Sequence, residues 1–411
     1  MTKISKYYLI FILLLLVVGA FSVQGLIIDK TDQVPEPVQP VVPVEVDHSL
    51  EIKGTLNKYD SLISSQVKET GTIGAAVVIT YKNQIVFLKC FGVRKKGDSA
   101  PVNKNTIFRL ASVSKTISGV LAGIMDDENI ISLDDHIVDY IPGFHLKNPS
   151  STKELTVRNI LSHTSGLIPH AYDNLVEEHV PFDKILAQLV NVDIAAPPGQ
   201  IYGYQNVMFS IYDTIATVKT SEQFGELIKE KVFNPFHMTD ACTGFEAFSN
   251  SKNKAYPHYG SNKKFRTLRL NNRYYSTMPA AGINASISDL AHFMLTLLDT
   301  TSTTVNDNIR NLVFTPQVVS PLNSSYFKNW DHVKSKQYAI GWRKVSYKNR
   351  DVAYHGGYVK GYRAEIALCF DENVGIAFLS NSPNTMGTKT VPEFLDLLFK
   401  QKDSGNLVAS N

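Results

Sequence analysis

The order of helical and strand-like segments constrains the fold of this chain more than any other feature of its sequence. Residues 49–70 carry apolar side chains at near-helical intervals, which predicts one amphipathic helix. The stretches AAVVIT and IVFLKCFG follow; they are rich in β-branched and aromatic residues and are joined by the polar turn YKNQ. They therefore predict a β-hairpin.

Similar elements recur near the C terminus in the reverse order. KVSYKNRDVAY, YRAEIALCF and VGIAFLSN are strand-like, with turns at YKNRD and DEN, and TVPEFLDLLFKQK is helical. The long middle is rich in loops and has helical stretches such as ISDLAHFMLTLLDT. We therefore predict an α+β fold, an α/β sandwich: an antiparallel sheet built from both chain ends, flanked by the N- and C-terminal helices and interrupted by a large, mainly helical insert.

The predicted folded domain covers residues 49–400. Its sheet subdomain comprises about 49–114 plus 335–400, and its helical subdomain comprises about 115–334. Because ligand sites prefer clefts between such parts, we expect a site between the sheet and the insert. Residues 401–411 are expected to form a polar tail.

The first 25 residues indicate export. Two lysines precede an uninterrupted apolar run from Tyr7 to Phe21, which is typical of a secretory signal peptide. An uncleaved membrane anchor is the alternative, since a span needs about 20 apolar residues and VQGLII extends the run. Residues 26–48 are proline-rich and predict an extended linker. We expect a location in the periplasm or cell envelope and favour cleavage over anchoring.

The charge and the cysteines exclude other classes of partner. The formal net charge is +3, whereas nucleic-acid-binding proteins concentrate positive charge on one face. We therefore expect no nucleic-acid partner. Cys90, Cys242 and Cys369 are widely spaced, so they form no metal-binding pair and at most one disulfide. Cys90 and Cys369 fall in predicted strands, and we expect them to be buried as small apolar residues.

A serine followed three residues later by a lysine occurs seven times, so this spacing alone predicts nothing. The serines of these pairs are Ser65, Ser112, Ser150, Ser249, Ser251, Ser261 and Ser325. Only Ser112 opens an apolar helix, in which one buried stripe runs from Ile117 to Ile124. Residues three apart share a helix face, so the Lys115 ammonium is expected over the Ser112 hydroxyl.

Ser112 and Lys115 suit nucleophilic catalysis. A serine hydroxyl is a poor nucleophile until a base removes its proton. A lysine can be that base when burial and the positive helix N-terminus lower its pKa towards neutrality. From these two residues alone, an N-cap serine followed by a solvated lysine explains the pattern equally well.

A tyrosine followed two residues later by an asparagine occurs at Tyr81, Tyr172, Tyr204 and Tyr347. The first and the last lie in the predicted hairpin turns. Tyr204 follows AAPPGQIYG, a loop framed by prolines and glycines, so we choose Tyr204 with Asn206 and keep Tyr172 as the lesser candidate. A phenol can pass on a proton, and a carboxamide can hold both a lysine and a substrate amide. A packed loop tyrosine is the alternative.

A lysine or histidine followed two residues later by a glycine occurs at Lys95, His258 and His355. Lys95 lies in a polar turn, and His258 lies in FSNSKNKAYPHYGSNKKF, which is expected to be an exposed loop. His355 leads into a strand, where Gly356 and Gly357 let another backbone approach the edge. Such an edge beside a nucleophile can pair with an extended peptide-like ligand. A turn histidine before flexible glycines is the alternative.

Taken in chain order, these three motifs resemble those of the serine β-lactamase and DD-peptidase superfamily. They read Ser112-Val113-Ser114-Lys115, Tyr204-Gln205-Asn206 and His355-Gly356-Gly357. The surrounding segments FRLASVSKTISG, LSHTSGL, PPGQIYGYQN, MPAAGINASISDLAHFM, AIGW and GIAFLSN also resemble that family. The likeness is greatest to class C β-lactamases and their esterase and D-aminopeptidase relatives. It covers about residues 50–400 and implies the β-lactamase/transpeptidase-like fold.

The resemblance implies acyl transfer. Ser112 would attack a carbonyl carbon to form an acyl-enzyme, and Lys115 and Tyr204 would handle the serine proton. Asn206 would orient Lys115 and the substrate. The backbone N–H groups of Ser112 and Tyr358 would form the oxyanion hole, whose donors are often worth a few kcal/mol. This chemistry requires no metal or organic cofactor.

The third motif, with His355, Gly357 and Tyr358, would form the substrate-binding strand. Class C β-lactamases have a lysine where this chain has His355. Near neutral pH a histidine carries only a fractional charge, so we expect weak recognition of a substrate carboxylate and inefficient β-lactam hydrolysis. Two arginines, Arg109 and Arg363, are further candidates for a carboxylate, although packing or surface roles are favoured for both.

His163, in LSHTSGL, matches a segment of the family, and we expect it to be structural.

The predicted function is an exported serine hydrolase that cleaves amide, peptide or ester bonds through Ser112, like DD-peptidases and esterases. Its substrates would be small peptides, amides or esters, with peptidoglycan-derived fragments among the candidates. A true β-lactamase is the alternative enzyme, and a catalytically silent envelope binding or scaffolding protein is the alternative of another class. The three intact motifs favour an enzyme. Some family members self-assemble, so a homo-oligomer is also considered.

Overall fold

Strands from both ends of the chain meet in one antiparallel sheet. The computed structural model describes residues 46–261, 263–321, 327–331 and 333–409. In chain order the strands are β1 (Gly74–Tyr81), β2 (Gln84–Gly92), β3 (Phe108–Arg109), β4 (Cys242–Thr243), β5 (His258–Ser261), β6 (Lys264–Thr267), β7 (Ile283–Ala285), β8 (Val318–Val319), β9 (Val333–Tyr338), β10 (Arg343–Tyr347), β11 (Arg350–Val359), β12 (Tyr362–Cys369) and β13 (Val374–Ser380). Eight of them form the sheet in the order β2-β1-β13-β12-β11-β10-β9-β8, and β3-β7-β4 and β5-β6 form two smaller sheets.

The helices account for most of the middle of the chain. They are α1 (Lys53–Thr70), α2 (Ser114–Asp127), α3 (Ile137–Tyr140), α4 (Pro149–Glu154), α5 (Val157–Leu161), α6 (Asp173–Glu177), α7 (Phe182–Gln188), α8 (Asn206–Thr220), α9 (Phe224–Ile228), α10 (Phe245–Asn250), α11 (Met278–Ala281), α12 (Ile287–Leu298), α13 (Asp307–Phe314) and α14 (Thr390–Ala409). Together with the sheet they confirm the predicted α+β fold.

Alternation along the central strands divides the interior into two cores. In β1, Ala75, Val77 and Ile79 belong to the core that includes residues of α1 and α14. Their neighbours Ala76 and Val78 belong to the core that includes α2, α8 and α12. Successive side chains of a strand point to opposite faces, so both faces of the sheet are covered by helices.

The first hairpin forms where the sequence predicts it. Lys82 and Asn83, between β1 and β2, have φ angles of 46° and 61°. Two successive residues in the left-handed region are typical of the tight turn whose twist matches that of paired strands. The pairing of β1 with β2 and with β13 then brings the N-terminal hairpin beside the C-terminal strands.

More of the surface of helix α2 is buried than the single stripe that the sequence predicts. Every residue from Ser114 to Met125 is buried, including Lys115 and Thr116. A helix that is buried on all sides lies inside the core rather than on its surface. The predicted stripe is therefore only one part of its packed surface.

Three other segments differ from their predicted state. The expected loop around His258 contains the β5-β6 hairpin. His258 is fully buried, and its Nε2 accepts from the backbone N–H of Lys96 at 2.9 Å. Helix α14 continues to Ala409, where a polar tail is predicted. The cysteines are all free: Cys369 is buried as expected, whereas Cys90 is only partly buried.

Residues Asp47–Asn411 group into one unit. The predicted signal or anchor and nearly all of the linker lie outside the described residues. Within the described ranges no helix has both the length and the apolar character needed to cross a membrane. The division into a sheet subdomain and a helical subdomain stays a prediction.

Candidate active site

Ser112 lies in a tight turn between β3 and α2. A short 3-10 segment, Ala111–Val113, leads directly into the helix. Ala111 has a φ of 47°, in the left-handed region that costs a residue with a side chain about 1–3 kcal/mol. Ser112 is half-buried, whereas Ala111 and Val113 on either side are buried. The turn therefore holds the serine at the surface on a rigid base.

Lys115 is fully buried beneath this turn. Its Nζ lies 3.5 Å from Ser112 Oγ and donates to Asn206 Oδ1 at 2.7 Å and to the Ala280 carbonyl at 3.0 Å. Burial is the largest cause that lowers the pKa of Lys115 well below its usual value, and Arg343 lowers it further, while Asp173 opposes both. In its uncharged form the amine has two N–H donors and one lone pair, so with both N–H groups bonded to Asn206 and Ala280 the lone pair is left for Ser112.

Tyr204 and Asn206 lie where the loop enters α8. Asn206 is the first residue of that helix, and its side chain is only 7% exposed. The Lys115 Nζ lies 4.8 Å from the centre of the Tyr204 ring. The second predicted motif is thus brought to the first across 91 residues of sequence.

Asp173 is a site residue that the sequence did not identify. Asn206 Nδ2 donates to Asp173 Oδ1 at 3.1 Å and to its Oδ2 at 2.9 Å. The carboxylate also lies 2.8 Å from His170 Nδ1, and 18% of the Asp173 side chain is exposed. Asp173 directly follows Tyr172, as the middle residue of the lesser Tyr-x-Asn candidate, and that pattern singles out the tyrosine and the asparagine but not the residue between them.

Strand β11 brings the third motif against the serine turn. A Cβ placed on Gly357 would lie 2.2 Å from the Leu110 carbonyl oxygen and 3.0 Å from the Ser112 and Val113 nitrogens. Only a glycine allows this approach. The Tyr358 side chain next to it is 56% exposed. Gly357 therefore fixes the distance between the strand and the serine.

His355 is placed differently from the prediction. Its ring is fully buried; Nδ1 lies 3.0 Å from the Gly356 carbonyl, and Nε2 lies 3.1 Å from the Tyr338 hydroxyl. Burial, then the charges of Arg343 and Lys115, lower the pKa of His355 well below its usual value. Both nitrogens have hydrogen-bond partners within the protein, so the ring is placed to support the strand, and its contact with a substrate stays a prediction.

Arg343, at the start of β10, is the second charged residue that the sequence did not identify. It is 8% exposed, its guanidinium lies 5.3 Å from the Tyr204 ring centre, and it donates to the Tyr202 hydroxyl at 3.0 Å. Arginine keeps its charge at every physiological pH. Its position directly after AIGW was the only signal in the sequence.

His163 forms part of the wall of the site. The ring is buried, its centre lies 4.3 Å from that of the Tyr204 ring in a tilted arrangement, and its Nδ1 accepts from the Gln205 backbone N–H at 3.2 Å. Burial and then Lys115 lower its pKa well below the usual value. These contacts agree with a structural residue that orients Tyr204.

The remaining candidates lie in packing contacts. Arg109 is buried, donates to the carbonyls of Asn271 and Arg273, and stacks over Tyr275. Arg363 pairs with buried Glu365.

Tyr172 points away from the serine and lysine. Its hydroxyl donates to the Gln188 carbonyl at 2.9 Å. Of the two predicted tyrosines, only Tyr204 is brought to Lys115 in the described part of the chain.

The chain is similar to known proteins over most of its length. A family model described as Beta-lactamase matches residues 59–398. "Beta-lactamase-like protein 4" from Dictyostelium discoideum is 25% identical over 371 residues, which cover 84% of this chain and 63% of that protein. "Protein flp" from Staphylococcus aureus (strain MRSA252) is 22% identical over 352 residues, which cover 83% of this chain and 65% of that protein. The aligned part of this chain thus spans less than two thirds of these curated relatives.

A solved structure has the same fold. The octameric penicillin-binding protein homologue from Pyrococcus abyssi superposes with a TM-score of 0.72 at 20% sequence identity. The match covers 84% of this chain and 77% of that one. At this identity the likeness concerns the fold alone.

Proposed function

The chain belongs to the beta-lactamase family, and we propose that it is a serine hydrolase that cleaves ester, amide or peptide bonds through an acyl-enzyme on Ser112. One observation carries the proposal: a fully buried lysine, with two N–H donors engaged by Asn206 and Ala280, lies 3.5 Å from the hydroxyl of a half-buried serine. A lysine that only follows a helix cap would be solvated and not buried. A lysine that acts as the general base for Ser112 must lie beside the serine hydroxyl.

The proposed reaction begins with attack by Ser112 Oγ on the substrate carbonyl carbon. The serine proton passes to the lone pair of Lys115 Nζ, and the carbonyl electron pair moves to the oxygen. The backbone N–H groups of Ser112 and Tyr358 would donate hydrogen bonds to the resulting oxyanion. The bond to the leaving group then breaks as that group takes the proton through the Tyr204 hydroxyl. Water then attacks the carbonyl carbon of the acyl-enzyme by the same steps, which releases the acid and frees Ser112.

The electrostatics of the site favour substrates without an essential carboxylate. His355 is neutral and buried, and the permanent charge of Arg343 lies beneath Tyr204 at 8% exposure. Strand β10 pairs with β11 from Arg350 to Tyr354, and β11 continues to Val359. An extended peptide-like acyl group would lie along this last part of the strand. We therefore place esters and short peptides ahead of β-lactams.

The test of this proposal is intact-mass analysis after exposure to a fluorophosphonate. We expect one adduct on the wild-type protein, none on Ser112→Ala and retention of the adduct on Ser114→Ala. Ser114 is the matched control because it is the nearest serine, and its Oγ is already bonded to the Ile283 N–H at 3.1 Å. An adduct that persists on Ser112→Ala would refute the assignment.

Turnover separates the enzyme classes. Hydrolysis of short-chain p-nitrophenyl esters that exceeds hydrolysis of a chromogenic cephalosporin supports the proposal. The reverse order would make the protein a β-lactamase. A protein that forms no adduct and hydrolyses neither compound would be a binding or scaffolding protein with this fold.

Export and self-assembly are also part of the proposal. The N-terminal apolar run supports an envelope location, and N-terminal sequencing of the mature protein distinguishes a cleaved signal from an anchor. The Pyrococcus homologue is described as octameric, which is the reason to measure the mass of this protein in solution by light scattering.

A further inference from the structure

The Asn206 carboxamide is oriented by two different partners. Its oxygen accepts from Lys115 at 2.7 Å, and its nitrogen donates to both oxygens of Asp173. A carboxylate only accepts hydrogen bonds, and an amide has one accepting and one donating end. If the amide were rotated by half a turn, its oxygen would face the carboxylate and its NH2 would face the lysine. Asp173 therefore selects the orientation in which the lysine donates to Asn206.

This selection determines which atom of Lys115 faces the serine. With Asn206 Oδ1 and the Ala280 carbonyl as acceptors, both N–H bonds of the neutral amine are directed away from Ser112. If the amide turned its NH2 to the lysine, the lone pair would be drawn to that donor instead. The amine could then no longer receive the serine proton from its present position.

Asp173 is held firmly enough to do this. It is the first residue of α6, and its carboxylate lies 2.8 Å from His170 Nδ1. Burial of most of its side chain limits the competition from water. The backbone of the preceding loop is tied to the second motif, since the His170 N–H donates to the Tyr204 carbonyl at 2.8 Å.

Several charged or titratable groups surround the lysine. Arg343 comes from β10, His355 from β11, His163 from the turn after α5, and Tyr204 from the loop before α8. Arg343 lowers the pKa of Lys115, whereas Asp173 raises it. Asp173 is thus the anion that opposes Arg343 and the burial of the lysine.

From this geometry we propose that Asp173 is a positioning residue that acts through Asn206: it sets the orientation of the carboxamide and so directs the Lys115 lone pair at Ser112. This inference rests on the proposed function of Ser112 and Lys115. It assigns a role to a residue outside the three motifs.

The first test is the pH dependence of acylation in Asp173→Asn. Loss of the carboxylate removes the group that raises the pKa of Lys115, so the acid limb of kcat/KM for a p-nitrophenyl ester shifts to lower pH. The plateau falls by roughly 10- to 100-fold, as for other residues that orient a reacting group. Asp173→Glu, which keeps the charge, recovers part of the plateau. An acid limb that stays in place, or a loss of rate that only follows a loss of thermal stability, would overturn the proposal.

Glu177→Gln is the matched control. Glu177 lies one turn further along α6 and accepts from the Tyr274 hydroxyl at 2.7 Å. Glu177→Gln removes a charge of the same sign from the same helix and leaves the contacts of Asn206 unchanged. We expect it to leave both the limb and the plateau unchanged, and an equal shift in both variants would show a general field effect rather than positioning.

The second test does not depend on activity. The free energy of unfolding is measured against pH for the wild type and Asp173→Asn, each with Lys115 and with Lys115→Met. Stability rises with pH where the unfolded lysine is protonated and the folded one is not. Asp173→Asn should move the start of this rise to lower pH, and the movement should vanish with Lys115→Met. A shift that persists with Lys115→Met would overturn the coupling. If the coupling is found but Ser112 forms no adduct, the proposed function fails while the Asp173–Asn206–Lys115 connection stands.

Discussion

Substitution of Gly357 by alanine tests directly whether β11 sets the geometry of the serine turn. The added methyl carbon would lie 2.2 Å from the Leu110 carbonyl oxygen and 3.0 Å from the Ser112 nitrogen. All of these neighbours are backbone atoms, so no side chain can rotate away. Ordinary contact begins at about 3.4 Å, and the strand and the turn must separate by about 1.2 Å.

This separation moves the two predicted oxyanion donors apart. A misplacement of about 1 Å in an active site costs about 100-fold in rate, so we expect kcat/KM for a p-nitrophenyl ester to fall by about that factor or more. Overpacking of a well-packed interior costs about 1–3 kcal/mol of the free energy of unfolding. Both quantities are measured on the same preparation, by ester hydrolysis and by chemical denaturation.

Gly74→Ala is the matched control. Its Cβ would lie 2.4 Å from the Val93 carbonyl oxygen, a similar clash in β1, which is three strands from β11. We expect a comparable loss of stability with little change in kcat/KM. If Gly357→Ala and Gly74→Ala lost equal rate at equal stability, the contact between β11 and the serine turn would have no catalytic role, and the reasoning would be refuted.

Three further predictions concern the groups around the nucleophile. Tyr204→Phe should reduce turnover by about 100-fold, the effect of losing a proton-transfer group, whereas Tyr172→Phe, which loses only a bond to the carbonyl at the end of α7, should keep near wild-type turnover; the opposite ranking would move the second motif. Lys115→Met should remove turnover and flatten the pH dependence of stability. The unfolded lysine stays protonated to about pH 10.4, and burial lowers the pKa of the folded one well below its usual value, so wild-type stability rises by up to about 1.4 kcal/mol per pH unit between the two pKa values. Parallel curves in chemical denaturation would show that the pKa of the folded lysine is not lowered. His355→Asn should leave the shape of the rate profile near neutral pH unchanged, because burial and the nearby charges lower the pKa of the ring well below its usual value; loss of a limb in this range would mean that His355 titrates.

Local patterns in the sequence were sufficient for the secondary structure and for the choice of motifs. Each of these patterns depends on residues within a few positions of one another: the alternation along AAVVIT, the polar turn YKNQ and the apolar period of the N-terminal helix. Neighbouring side chains and turn geometry determine such elements. The three motifs could be found for the same reason, since each is only a few residues long.

Burial was harder to predict. His258 occurs in a run of Ser, Asn and Lys that looks exposed, yet its ring is buried between Lys96 and the Asn381 carbonyl. His355 looks like a ligand-binding residue, yet its ring lies beneath the strand and bonds to Tyr338. In both cases the deciding contact comes from a different part of the chain.

The sequence by itself thus determines the two-sided sheet, the flanking helices and the choice of the candidate serine and lysine, because short-range periodicity and motif spacing encode them. The folded structure decides the state of those groups. Lys115 can act as the proposed base only because α2 is buried on all sides and Asn206, 91 residues away, accepts a hydrogen bond from its amine. Asp173 and Arg343 shift the pKa of Lys115 in opposite directions only because α6 and β10 pack around that lysine. Charge interactions depend on distance in space and not on position in the chain.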